Sequence, residues 1–212
     1  PNIDSRDSKG NHLYKNNVTL KSNISDSKSG LREVKWGIND EVKGTLKIDN
    51  NGNISGDNGS VVRKDNNLAI SLDKDLPVPN NENNISVWVE AVDRVGHVSK
   101  NSRTLSIDKD APVISVSYDT NNESSFYNKT RTAKVSIKER NFRSGDVQFN
   151  GVYGSIGEWS KVGEDTWVTN VVFSEDNDYE WSVDYTDLAG NTAVDYTQDK
   201  FTVDKTDPEV EF

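Results

Sequence analysis

Two stretches of this chain repeat one another at a distance that fixes the size of the building block. Ile85-x-Val87-x-Val89-x-Ala91-x-Asp93 leads to Gly96-His97 and then to Leu105-Ser106-Ile107-Asp108-Lys109-Asp110-Ala111-Pro112. Tyr179-x-Trp181-x-Val183-x-Tyr185-x-Asp187 leads in turn to Gly190-Asn191 and Phe201-Thr202-Val203-Asp204-Lys205-Thr206-Asp207-Pro208. Asp93 and Asp187 lie 94 residues apart, while Asp108 to Asp204 and Pro112 to Pro208 are both 96. Such a period is longer than the roughly 20–50 residues of solenoid repeats and matches one β-sandwich domain of about 100 residues.

Each copy therefore reads as a domain. Proline cannot donate to a strand ladder and pushes the residue before it into an extended conformation, so Pro112 and Pro208 mark joints. The expected organisation is a first domain over 1–110, a second over 111–206, and in 207–212 the stub of a following module. The chain begins Pro1-Asn2-Ile3 and contains no Met, as expected of a segment cut from a longer protein.

The apolar residues suit strands. Val and Ile number 35 against nine Leu and six Ala, and β-branched side chains fit a pleated surface better than a helix. Only 32% of the chain is hydrophobic, a thin supply that a sandwich with one buried face per sheet can use. Alternation and turn residues place strands at Val113 to Tyr118, Thr132 to Lys138, Asp146 to Phe149, Ile156 to Val162, Thr166 to Phe173, Asp178 to Thr186 and Lys200 to Val203. The first unit reads as strands at Asn17 to Asn23, Val34 to Ile38, Thr45 to Ile48, Ser60 to Arg63, Leu68 to Leu72, Ile85 to Val92 and Arg103 to Ile107. Asn50-Asn51-Gly52 predicts a hairpin turn, and Lys74 to Asn84, with two prolines, an exposed loop. The fold class expected is all-β, two tandem immunoglobulin-like antiparallel sandwiches.

Asp187-Leu188-Ala189-Gly190-Asn191, followed by Val203-Asp204-Lys205-Thr206-Asp207-Pro208, closely resembles the bacterial Ig-like repeats of large Gram-positive cell-surface proteins. Trp159, Trp167 and the Tyr179 to Tyr185 segment fit that pattern. The resemblance covers most of the second unit but begins only near Ile85 in the first, where Asp93-Arg94-Val95-Gly96-His97 departs from the Asp-x-Ala-Gly-Asn form. It implies a non-catalytic spacer or adhesin stalk, extracellular and attached to the cell surface or wall, with neighbouring Ig-like modules of the same chain as partners. The alternative is a module that binds carbohydrate or a host protein, accessory to a secreted enzyme.

The residues themselves offer little chemistry. Cys is absent, which removes disulfides, thiolate nucleophiles and Cys-ligated metal. His12 and His97 are the two histidines; no Gly-x-Ser-x-Gly elbow, phosphate loop or His-x-x-x-His pair accompanies them. Thirty-five carboxylates make chance pairs such as Glu158 and Glu164 inevitable, so no glycosidase dyad follows. No catalytic, cofactor or metal residue is assigned. The Asp187 to Asn191 segment reads as a tight turn, with Gly190 and Asn191 at positive φ and Asp187 capping amides. Trp36, Trp88, Trp159, Trp167 and Tyr153 read as packing residues, with a sugar-stacking platform as the alternative. Sequons at Asn17, Asn23, Asn53, Asn58, Asn84, Asn122 and Asn128 are close to what an Asn-rich chain yields by chance.

A net charge of −10, with Lys and Arg scattered singly, argues against nucleic acid as a partner. No apolar run is long enough for a membrane helix. At the joints, Asp108 and Asp110, and Asp204 and Asp207, sit near the turn residues Asp93 and Asp187. Hard oxygen ligands suit calcium. With only two or three acids per joint, and Lys109 and Lys205 in the same segments, the expectation is no metal.

Overall fold

The computed structural model describes residues 5–57, 61–64 (as backbone), 69–120 and 125–212. All regular structure there is β apart from one 3-10 turn, Ser144–Asp146. The chain divides into two compact units, Pro1–Lys109 and Asp110–Phe212.

In the first unit the strands are β1 (His12–Tyr14), β2 (Val18–Ser25), β3 (Leu31–Ile38), β4 (Glu41–Ile48), β5 (Ile54–Gly56), β6 (Val61–Lys64), β7 (Ala69–Leu76), β8 (Asn81–Asp93) and β9 (Val98–Asp108). A six-stranded sheet runs β1-β9-β8-β3-β4-β5 and a three-stranded sheet β2-β7-β6. Every pairing is antiparallel except β1 on β9, which is parallel. The core lies between the sheets. Ile24, Ile70, Leu72 and Leu76 from the small sheet meet Val34, Trp36, Leu46, Ile85, Val87 and Ile107 from the large one.

The second unit holds β10 (Val113–Tyr118), β11 (Phe126–Tyr127), β12 (Arg131–Lys138), β13 (Val147–Val152), β14 (Ser155–Ile156), β15 (Ser160–Gly163), β16 (Thr166–Phe173), β17 (Asn177–Tyr185) and β18 (Tyr196–Val203). One sheet runs β10-β12-β16-β14 with β15 also on β16, the other β11-β18-β17-β13. Alternation along β17 is complete: Tyr179, Trp181, Val183 and Tyr185 are buried, and Glu180, Ser182 and Asp184 point away. They pack on Ala133, Val135, Ile137, Val171 and Phe173 of the facing sheet.

Several expected elements change. The strand expected at Ile156 to Val162 is two short strands, β14 and β15, both on β16. β1, β5 and β11 were not expected; two or three residues are too few to show alternation. The exposed loop expected over Lys74 to Asn84 shrinks to residues 77–80, because Leu76 and Val78 are buried and β8 already begins at Asn81. Buried apolar residues outweighed the two prolines. Ser60 and Leu68, at the starts of two expected strands, and the sequons at Asn58 and Asn122 lie outside the described residues.

Candidate functional site

Asp187 to Asn191 forms a closed five-residue turn. The Asp187 amide donates to the Asn191 carbonyl (2.9 Å) and the Gly190 amide to the Asp187 carbonyl (3.1 Å). Asp187 Oδ1 accepts from the Asn191 amide (2.8 Å) and Oδ2 from Asn191 Nδ2 (2.9 Å). Gly190 takes φ +86°, which a side chain would strain. Asn191 does not share that positive φ, contrary to expectation; it contributes through its side chain instead.

Among the described residues the same turn occurs three more times, all in the first unit. Asp49 caps Asn51 and Asn53 through Oδ1 and receives Asn53 Nδ2 at Oδ2 (2.9 Å), with Gly52 at φ +79°. Asp7 caps Lys9 and Asn11 in the same way, with Gly10 at φ +81°. In Asp93 to His97 the ring Nδ1 of His97 lies 2.9 Å from Asp93 Oδ2, where the other turns place the Asn amide. The departure at His97 noted in the sequence therefore preserves the geometry. Asp7 to Asn11 and Asp49 to Asn53 carry the same Asp-x-x-Gly-Asn spacing, and that signal was legible without coordinates. In all four turns both carboxylate oxygens are engaged within the turn. Hydrogen bonds, chiefly from Asn53, hold the Asp49 carboxyl below its ordinary range. For Asp93 burial opposes the shift, but the amides and ring of His97 outweigh it.

The tryptophans divide by role. Trp36 is 1% exposed in the core of the first unit. Trp88 is also buried but falls outside the core cluster. It lies over Gly37, donates Nε1–H to the Asn39 carbonyl (2.8 Å), and is capped by Lys100 Nζ, 4.1 Å from the ring centroid. Trp181 is in the core of the second unit. None of these three can present a ring to a ligand.

Of the remaining indoles, Trp159 and Trp167, Trp159 is the freer: Trp167 stacks on Phe142 and has Lys161 Nζ over its ring, 5.8 Å from the centroid. Both are half-buried around Phe142, whose ring lies 4.9 Å from Trp159 and 5.1 Å from Trp167, nearly parallel to the latter at 23°. Phe142 rests on the core through Tyr185, 5.5 Å away. The three rings line a cleft of about 390 Å³ with Arg143, Ser144, Gly145, Asp146 and Glu158. The Arg143 amide donates to Tyr185 Oη (3.1 Å), anchoring the 3-10 turn that carries Asp146; burial pushes the Tyr185 phenol up to about 12. Glu158 lies on this cleft and Glu164 does not, so the pair does not form a dyad there. Tyr153 packs on Phe149 (5.8 Å), away from the cleft. His97 is held in its turn, and His12 packs near Tyr14 (6.3 Å).

No family model matches the chain, and no curated protein matches it. Among solved structures it is similar to fibronectin(III)-like modules of Clostridium thermocellum CbhA, at 9% identity over 100% of this chain and 98% of that one, with a TM-score of 0.31. It is also similar to SGBP-B of the Bacteroides ovatus mixed-linkage glucan utilization locus, solved with a mixed-linkage heptasaccharide. That match is 12% identical over 96% of this chain, spans 46% of the other, and has a TM-score of 0.26. At these scores neither alignment places a residue of the cleft.

Proposed function

We propose that the chain is a non-catalytic structural segment, two tandem immunoglobulin-like sandwiches from an extracellular surface protein of Gram-positive type, serving as a stalk that carries a distal binding region. The observation that carries this reading is the position of one closed turn between the last two strands of each unit, followed in both by the Asp-Lys joint at a 96-residue offset; the turn alone also occurs at Asp7 and Asp49. Asp93 to His97 and Asp187 to Asn191 are built from the same hydrogen bonds at a 94-residue offset.

The strand order supports it. In the first unit β2-β7-β6 face β9-β8-β3-β4-β5, a two-sheet order that fits an immunoglobulin-like sandwich with added edge strands. The buried Trp36 on β3 supports the same reading, since immunoglobulin-like sandwiches bury a tryptophan on a central strand. In the second unit Tyr179, at the start of β17, donates its hydroxyl to the Glu175 carbonyl (2.9 Å), four residues upstream, as a tyrosine corner does.

A stalk of repeated modules requires each to fold alone. The segment 110–212 expressed by itself should give dispersed amide signals and one cooperative melt, and the full chain should show no hydrolysis of glycan or peptide substrates. A collapsed spectrum from the isolated segment overturns the reading.

A further inference from the structure

We propose that the cleft formed by Phe142, Trp159 and Trp167 in the second unit is a binding site for a neutral glycan with flat, equatorially substituted pyranose rings. This goes beyond the stalk reading and does not depend on it.

The cleft combines two features that a packing cluster does not require together. The first is aromatic surface. Trp159 and Trp167 both meet Phe142 and line the cleft, Trp159 packed in part against the core and Trp167 under Lys161 Nζ. The C–H face of an equatorial pyranose is apolar and flat, and it matches an indole face as an apolar side chain would. The second feature is polar and unspent. Arg143, Asp146 and Glu158 all line the cleft, and among the described residues none of their side chains takes part in a hydrogen bond or ion pair within the protein. Carboxylates accept from adjacent sugar hydroxyls, and a guanidinium donates to hydroxyl or ring oxygens. Trp167 Nε1–H is buried without a hydrogen-bond partner, although a buried indole N–H ordinarily finds one.

Size and charge choose between ligand classes. About 390 Å³ falls at the lower end of small-molecule sites, around 300–1,000 Å³; a protein partner needs on the order of 800 Å² of surface. Two carboxylates and one guanidinium line the cleft, and the Lys161 ammonium lies over Trp167, 5.8 Å from its centroid, so the charges balance and an anionic glycan meets no cationic excess. Turns hold both sides: the Arg143 carbonyl accepts from the Asp146 amide (3.2 Å), and Gly157 bonds Asn170 and Thr169 of β16.

The test is titration of the full chain with cellohexaose, laminarihexaose and xylohexaose, followed by tryptophan fluorescence and by amide shifts. At least one should bind, with shifts confined to 142–146 and 156–168. Trp159→Ala should weaken it at least tenfold, and Glu158→Gln, which removes no packing, at least threefold with an unchanged melting temperature. If Trp159→Ala fails to fold, Glu158→Gln and Asp146→Asn decide. Absence of binding by all three oligosaccharides at millimolar concentration, or binding undiminished in the variants that fold, overturns the proposal. Tighter binding of a sialylated oligosaccharide than of any neutral one would do the same.

Discussion

The indole Nε1–H of Trp181 donates to the phenolic oxygen of Tyr118 across 3.1 Å, tying central strand β17 of one sheet to edge strand β10 of the other. The bond is made inside the apolar layer, where Tyr118 also meets Phe201 edge-on at 6.2 Å. Trp181 is 2% exposed. Its removal leaves both a cavity and a half-buried Tyr118 hydroxyl without its indole donor.

Trp181→Ala should therefore cost about 3–5 kcal/mol, a large share of the roughly 5–15 kcal/mol that holds a domain together. Tyr118→Phe, which deletes the acceptor and keeps the ring, should cost about 1 kcal/mol. Denaturant unfolding of both variants checks this. If Trp181→Ala has the midpoint of the parent, the inward face of β17 has been misassigned.

Acid should weaken the turns of the first unit. Asp7, Asp49 and Asp93 are all held below the ordinary value of 3.8 by the hydrogen bonds they accept, against burial. A depressed folded value contributes stability that is complete above about 3.8 and disappears as pH falls through the lowered folded value. The melting temperature should be flat near neutrality and fall steeply below about pH 3.8. Asp49→Asn combined with Asp93→Asn should lower the neutral plateau and shallow the acid limb; a variant with the parent's acid limb would show that these carboxylates do not govern it.

Much of the sandwich was legible because its strands alternate. Val113–Tyr118 and Thr166–Phe173 match the expected bounds, since apolar residues recur at alternate positions, interrupted only at Thr169, and the ends carry turn residues. β1 and β11 escaped because they are defined by parallel pairing to β9 and β18, a non-local fact. The Lys74 to Asn84 segment misled because proline marks the absence of an amide donor, not the absence of burial: Val78 is 8% exposed in the core. For the site, sequence reasoning found Trp159 and Trp167 but could not separate them from Trp36 and Trp88. Only the pairing register shows that Trp36 faces Gly44 and that Trp88 faces Gly37. Phe142, Arg143 and Asp146 were missed, since nothing in a run of mixed polar residues shows that it folds back onto two indoles.

That register makes a second stability prediction. A Cβ at Gly44 would collide with the indole of Trp36 opposite, and the ring cannot retreat because Trp36 is already enclosed. Gly44→Ala should cost about 1–3 kcal/mol by overpacking. In the Trp36→Leu background the same change should cost much less, so a double-mutant cycle should return a coupling of at least about 1 kcal/mol. Additive costs would mean that Trp36 does not lie across the glycine.

The last prediction concerns a buried cation. Arg131 begins β12, is 5% exposed, and continues the inward row of Ala133, Val135 and Ile137. Its guanidinium carbon lies 3.7 Å from the Tyr118 ring centroid, 4.1 Å from that of Tyr127 and 4.6 Å from that of Phe201. Nε also donates to the Thr120 carbonyl (3.3 Å). Among the described residues no carboxylate pairs with it, so three aromatic faces compensate the cost of taking the charge out of water. A planar guanidinium can stack on these rings in a way that a compact, strongly hydrated ammonium cannot. Arg131→Lys should therefore destabilise the second unit by about 1–2 kcal/mol despite conserving charge, in line with desolvated cation–π contacts of about 2 kcal/mol. Arg131→Met, which fills similar volume and removes the buried charge, should be tolerated better than lysine. Unfolding of the two variants at neutral pH separates the cases: lysine more stable than methionine would mean that the charge itself, and not stacking, holds this corner of the sandwich.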